Sequence, residues 1–407
     1  MSLSEKGKLM TVIDYSNTLM EQTMRWFGPK DPVSLSNLRQ AGCAGVVSAL
    51  HQIPNGVVWS VEDIQARKDE IEAAGMRWSV VESLPVHEDI KSQELGFEQF
   101  IENYKQSLRN LAACDINIIT YNFMPLLDWT RTSLSYDMPD GGKALRFDMI
   151  DVAAYDIFML KRPNAVDGYS EDVAALAKEK FDALDESDKV ALEKTIVAGL
   201  PGSEVGFSTE QFLQAIMVYH DIGPEQYKQN LFYFLQQVCP IADELGIKLV
   251  VHPDDPPFTI YGLPRVVSTA EDLDELFEAV PNESNCLCFC AGSFSIREDN
   301  YLEDMVRRFG DRIYFIHLRN TQREQYGSFH ESQHLNGSID MFELIKAIVE
   351  VSRKRGVSIP MRPDHGHQIL DDLDKQANPG YSAIGRLKGL AELRGLELGI
   401  ARSLVAL

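Results

Sequence analysis

Short runs rich in Val, Ile and aromatic residues alternate along this chain with longer segments of helical character, the pattern of β-α units that feed a parallel sheet. Eight such runs occur: Met24–Phe27, Gly45–Ala49, Met76–Glu82, Ile116–Tyr121, Ile247–His252, Cys286–Cys290, Ile313–Leu318 and Ser358–Arg362. Helices are expected over Pro32–Ala41, Val61–Ala74, Phe97–Ala113 and Tyr227–Leu245, and further on over Ala270–Val280, Asn300–Phe309, Ile339–Arg355 and Ala383–Leu396. Gly75 and Gly246 stand directly behind two of these, where a helix ends most cheaply in a left-handed residue. Eight parallel strands close a barrel, so the pattern predicts an α/β chain with a (β/α)8 (TIM) barrel and its helices outside.

Such a barrel needs only about 250 residues, and this chain has 407. The surplus falls between the fourth and fifth runs, where about 125 residues replace a single helix. Its middle, Tyr169–Thr195, is rich in Ala, Glu, Lys, Asp and Leu, the material of a helical hairpin. The expected organisation is an N-terminal extension over residues 1–19 and a single barrel domain over 20–407. A mainly helical insertion is expected at about residues 130–220.

A net charge of −22 opposes binding to a phosphate backbone, so nucleic acid is excluded as a partner. It does not exclude a small anionic substrate, because a bound cation and a few arginines set the field inside a cleft. No apolar run of 18 residues occurs, so neither a membrane span nor a secretory leader is expected, and the reading is a cytoplasmic protein. The six cysteines, Cys43, Cys114, Cys239, Cys286, Cys288 and Cys290, are too unevenly spaced for a disulfide framework.

In a barrel of this kind the reactive groups come from the carboxyl ends of the strands. The last four runs each deliver one potential metal ligand there: His252, Cys290, His317 and Asp364. Two imidazoles, a thiolate and a carboxylate suit one divalent first-row ion, and Mn²⁺, Fe²⁺ and Zn²⁺ all remain open on this ground. Cys286 and Cys288 share a face with Cys290 at period two but lie deeper, where cysteine acts as a small hydrophobe. A lone histidine after an apolar strand is ordinarily a packed residue, and the repetition over four successive strands is what argues for a site. His367 is a candidate to support the ligands from behind.

The segment His330-Glu-Ser-Gln-His334 matches the H-E-x-x-H zinc pattern, but that pattern works only on a helix. The surrounding Ser328, Ser332, Gln333, Asn336 and Gly337 predict a loop, with the possible role of a lid or substrate contact. Dinucleotide, P-loop and α/β-hydrolase motifs are absent from the sequence, which removes those chemistries.

Five blocks carry a resemblance: Met24-Arg-Trp-Phe-Gly-Pro, Ile53-Pro-Asn-Gly, His252-Pro-Asp-Asp-Pro-Pro, Arg362-Pro-Asp-His-Gly-His and Asn378-Pro-Gly-Tyr-Ser-Ala-Ile-Gly-Arg. From about Met20 onward the chain resembles the D-mannonate dehydratases. The resemblance implies a barrel of the xylose-isomerase type, a Mn²⁺ or Fe²⁺ ion and a small anionic sugar-acid substrate. It further implies conversion of D-mannonate to 2-keto-3-deoxy-D-gluconate in hexuronate breakdown, and a homodimer. It places the metal ligands on His252, Cys290, His317 and Asp364, and the acid and base groups on His365 and Tyr381.

Arg319 and Arg362, near strand ends, are candidates for the substrate carboxylate, and Glu82 and Asn122 for sugar hydroxyls. A metal-dependent sugar isomerase on the same barrel and a non-catalytic sugar-acid binding protein are the competing readings.

Overall fold

The computed structural model describes residues 18–197 and 208–404, so all but the end of the expected extension at 1–19 lies outside the described residues. In chain order the strands are β1 (Glu21–Arg25), β2 (Gly45–Ser48), β3 (Arg77–Glu82), β4 (Ile118–Tyr121), β5 (Ser133–Asp137) and β6 (Lys143–Phe147). They continue with β7 (Lys248–Val251), β8 (Asn285–Cys290), β9 (Ile313–His317), β10 (Thr321–Arg323), β11 (Phe329–Glu331) and β12 (Pro360–Arg362). Eight of them close a barrel in the order β1-β12-β9-β8-β7-β4-β3-β2, all in parallel. These are the eight runs read from the sequence.

Parallel barrel strands are buried on both faces, which is why they appear as continuous apolar runs. β8 is buried at every position. Inside the barrel Val47, Val80, Val250, Cys286, Cys288 and Phe315 form one apolar layer, so Cys286 and Cys288 pack as core. β1 begins earlier than its apolar run, at polar Glu21, because its polar side chains find partners: Glu21 pairs with Arg77, and Thr23 Oγ1 donates to the Met361 carbonyl at 2.7 Å.

The helices outside the barrel follow the expected spans closely, as with Val61–Ala73, Phe97–Ala113 and Pro224–Leu245. The last of these ends at Gly246, whose φ of +68° is the left-handed cap the sequence suggested. Among the described residues no helix is long and apolar enough to cross a membrane.

The insertion contains helices at Glu171–Ala183, Glu186–Val197 and Thr209–Val218, but it opens differently from the expectation. β5 and β6 form an antiparallel hairpin about Asp140-Gly141, and β6 pairs with β11, giving a second sheet in the order β10-β11-β6-β5. Since β10 starts four residues beyond the end of β9, this small sheet sits at the carboxyl mouth of the barrel. The expected loop at 330–334 is corrected in part, because His330 and Glu331 belong to β11.

Candidate active site and metal centre

His252 follows β7, Cys290 ends β8, His317 ends β9 and Asp364 lies two residues beyond β12, so four neighbouring strands converge. Register places Cys290 beside His317 and His317 beside Arg362. Ligand atoms of His252, Cys290 and His317 all lie within 4.8 Å of one another. Asp364 Oδ2 stands 4.0 Å from Cys290 Sγ and 3.9 Å from His317 Nδ1. Groups about 2.0–2.3 Å from a shared cation are separated by about 3–4.5 Å, so the set fits one divalent ion. Asp364 reaches inward from a left-handed turn, φ +65°, a conformation that Asp tolerates better than most side chains.

The hydrogens are also placed suitably. His252 Nδ1 donates to the Pro253 carbonyl at 2.7 Å, which leaves Nε2 as the lone pair facing the cluster. Burial lowers the His252 pKa, against the pull of Glu82, Asp364 and Asp255, so the ring is held neutral as a ligand must be. At His317, Nε2 accepts from Arg362 Nε at 3.0 Å and lies 3.3 Å from Glu82 Oε1. Nδ1 is buried without a hydrogen-bond partner among the described residues. Nδ1 lies 3.9 Å from Asp364 Oδ2, on the side of the cluster, and is the nitrogen that can turn to a cation without giving up a hydrogen bond.

Beside this cluster a cleft is lined by Arg25, Glu82, Asn122, Trp129, Arg319, Arg362, His365 and Tyr381, with His252 and Asp364 in its wall. His365 meets Tyr381 edge-on, with ring centroids 5.1 Å apart. What allows this is Gly366, which bridges to the strand-like segment at Tyr381. A Cβ on Gly366 would stand 2.4 Å from the Arg386 backbone nitrogen. Burial raises the Tyr381 phenol above its ordinary pKa despite Arg362 and Arg25.

The remaining candidates sit in a buried ionic lattice. Arg362 reaches Glu82 Oε1 at 2.9 Å and Asp364 Oδ1 at 2.5 Å. Arg319 reaches Asp255 at 2.7 Å, Glu331 at 3.5 Å and Asp364 at 3.7 Å. Asn122 donates to Ser83 Oγ at 3.1 Å and to Asp128 Oδ2 at 3.2 Å. Burial opposes ionisation of Asp364, yet Arg362 and Arg319 hold it well below the usual carboxylate range, and Arg362 with Arg25 does the same for Glu82. Glu82, Asp364, Arg319 and Arg362 are thus charged before any substrate arrives.

Several residues of this site escaped the sequence reading: Arg25, Ser83, Asp128, Trp129 and Asp255 in the cleft, and Arg131 and Glu331 behind it. Arg25 and Asp255 stood within the Met24-Arg-Trp and His252-Pro-Asp-Asp blocks and Glu331 within His330-Glu-Ser-Gln-His334; Ser83, Asp128, Trp129 and Arg131 carry no motif. In the segment 330–334, strand alternation sends His330 outward to Glu324 at 2.6 Å. Glu331 turns inward to His365 at 3.1 Å, and His334 Nε2 donates to the Pro363 carbonyl at 2.8 Å. The three side chains diverge, so no zinc site forms. His367 Nε2 donates to the Glu331 carbonyl at 2.8 Å, a partner outside the four candidate ligands. A larger cleft lies against Asp140, Gln333, His334 and Lys388, but none of the candidate ligands lines it.

With this geometry in hand, the profile of the family described as D-mannonate dehydratase (UxuA) matches residues 20–405. The chain belongs to the D-mannonate dehydratase family. It is 51% identical over 384 residues to the mannonate dehydratase of Saccharophagus degradans (strain 2-40 / ATCC 43961 / DSM 17024), covering 93% of this chain and 97% of that relative. It is 51% identical over 391 residues to that of Marinomonas sp. (strain MWYL1), covering 95% and 100%. The crystal structure of mannonate dehydratase from Streptococcus suis serotype2 superposes with a TM-score of 0.75 at 32% identity, covering 95% of each chain. As a member of the D-mannonate dehydratase family the chain is a carbon-oxygen lyase.

Proposed function

We propose that this chain removes water from D-mannonate to give 2-keto-3-deoxy-D-gluconate, with His365 and Tyr381 moving the protons. The observation that carries this reading is the convergence of His252, Cys290 and His317 on one point, beside a cleft whose wall holds His365 and Tyr381. Membership of the family supports the substrate.

The difficulty of the reaction is the C2 proton, whose removal adds charge next to a carboxylate that is already negative. A divalent ion held by His252, Cys290, His317 and Asp364 would supply Lewis-acid stabilisation of that charge, worth several kcal/mol. Mn²⁺ or Fe²⁺ is our choice of ion. His365 takes the C2 proton, and Tyr381, whose phenol burial keeps protonated, donates to the departing C3 hydroxyl, which leaves as water. The resulting enol becomes the 2-keto acid, so substrate equals product plus one water. General acid and base steps of this kind are each worth about 10² to 10⁴ in rate. Arg319 and Arg362 are proposed to bind the substrate carboxylate, and Glu82 and Asn122 its hydroxyls. Glu82 Oε2 lacks a partner among the described residues, which leaves it an acceptor to offer.

We place the reaction in hexuronate breakdown in the cytoplasm, carried out by a homodimer. Incubation of the Mn²⁺-loaded protein with D-mannonate, read by mass spectrometry, tests the function. Loss of one water is expected. An isomerase leaves the mass unchanged with a new chromatographic peak, and a binding protein returns the sugar acid intact.

A further inference from the structure

The H-E-x-x-H segment builds no zinc site, yet its acidic residue is buried at the back of the cleft. We propose that Glu331 is a positioning residue for His365, fixing the hydrogen on Nδ1 and aiming Nε2 at the substrate, and that Arg131 from the insertion holds Glu331 in place. This rests on the reading of His365 as a proton-transfer group.

His365 Nδ1 lies 3.1 Å from Glu331 Oε1. An ionised carboxylate only accepts, so a ring with a single hydrogen carries it on Nδ1 and keeps the lone pair on Nε2. Nε2 is the nitrogen nearer the metal cluster, 3.8 Å from Asp364 Oδ1. In the other tautomer Nδ1 would present a lone pair to a carboxylate, and Nε2 could take no proton.

Glu331 in turn has no room to turn away. Arg131 Nη2 donates to the same Oε1 at 2.9 Å, Arg319 Nε flanks Oε2 at 3.5 Å, and His367 holds the backbone carbonyl at 2.8 Å. Arg131 is anchored by a two-pronged pair with Asp255, at 2.8 and 3.2 Å. Arg131, Glu331 and His365 are at most 5% exposed. Arg131 lies just before β5, and Glu331 closes β11 in the same small sheet. The accessory sheet thereby gains a function: it carries the clamp that sets the imidazole.

A residue that merely balanced the charges of Arg131 and Arg319 would need its charge, whereas a positioning residue needs its reach. Glu331→Gln keeps the accepting oxygen and loses the charge; Glu331→Asp keeps the charge and withdraws the oxygen by about 1.5 Å, one carbon-carbon bond. The experiment measures kcat and KM for D-mannonate, and bound Mn²⁺ per chain, for the wild type, both variants and His365→Asn. Glu331→Asp is expected to lose about 10- to 100-fold in kcat with KM and metal content nearly unchanged, and Glu331→Gln to stay within about threefold of the wild type. Glu331→Asp matching or exceeding Glu331→Gln overturns the proposal. So does a loss above about tenfold in Glu331→Gln with metal retained, which decides the matter even if the Asp variant does not fold. His365→Asn separates the two levels: with that variant inactive, contrary Glu331 results overturn the positioning role alone. Wild-type kcat in it removes the His365 reading and this proposal together.

Discussion

Glu397 offers a quantitative test of the packing at the base of the barrel. It lies on the helix Ala383–Ser403, is 1% exposed, and accepts a hydrogen bond from the Met20 backbone nitrogen at 2.6 Å. Burial raises its carboxyl pKa from 4.5 to about 7, with the Met20 amide opposing only in part. The folded value exceeds the unfolded one, so the stabilising contribution is complete below pH 4.5 and is lost as pH rises through about 7. That span of about 2.5 pH units, at about 1.4 kcal/mol each, makes ionisation cost the fold roughly 3 kcal/mol. Glu397→Gln keeps an oxygen for Met20 and cannot ionise. An unfolding entropy of about 2.1 cal/mol/K per residue gives about 0.85 kcal/mol/K for roughly 400 residues, so roughly 3 kcal/mol corresponds to about 3–4 °C in Tm. Calorimetry of both proteins between pH 4.5 and 8 should show the variant gaining about that much on the wild type as pH rises. Parallel Tm curves over this range would refute the reasoning, because a carboxyl that ionises freely in the fold gives no pH-dependent gap.

Three further outcomes are expected at the site. Cys290→Ser replaces the thiolate with a poor ligand, so bound metal by elemental analysis and turnover should fall together; full metal content would make Cys290 a core residue only. His365→Asn should abolish turnover, by about 10² or more in kcat, while metal stoichiometry stays intact. Gly292→Ala places a Cβ 1.9 Å from Arg319 Nε and 2.8 Å from its Cβ. It should displace that guanidinium and lower kcat/KM by about tenfold or more, roughly 1.4 kcal/mol, with unchanged kinetics counting against Arg319.

The zinc-like segment shows how a local pattern is decided by its partner strand. His330 and Glu331 read as loop because Ser, Gln, Asn and Gly surround them, but β11 pairs with β6, Phe329 with Phe147 and His330 with Arg146, more than 180 residues earlier. Pairing over that distance leaves no periodic trace in so short a strand. Asp140-Gly141 did carry a hairpin signal, but Lys143-Ala-Leu-Arg-Phe, with Ala144 and Leu145 adjacent, lacks the strict alternation that would have supported it. The helical composition of residues 169–195 drew the reading of the whole insertion toward helix. Arg131 had no signal of any kind, being one arginine among many until folding buried it against Asp255 and Glu331.

By itself the sequence determined the barrel, because strands buried on both faces must be apolar and their carboxyl ends must carry the chemistry. It also marked His252, Cys290, His317 and Asp364 as a group, since four successive strand ends bearing ligand-type residues are visible without knowing any distance. Only the tertiary structure decided the ring hydrogen of His252 and which oxygen faces His365. It alone decided that an arginine from the insertion stands behind the cleft. Those depend on contacts between residues far apart in the chain, and a hydrogen bond is set by ångströms that no one-dimensional pattern records.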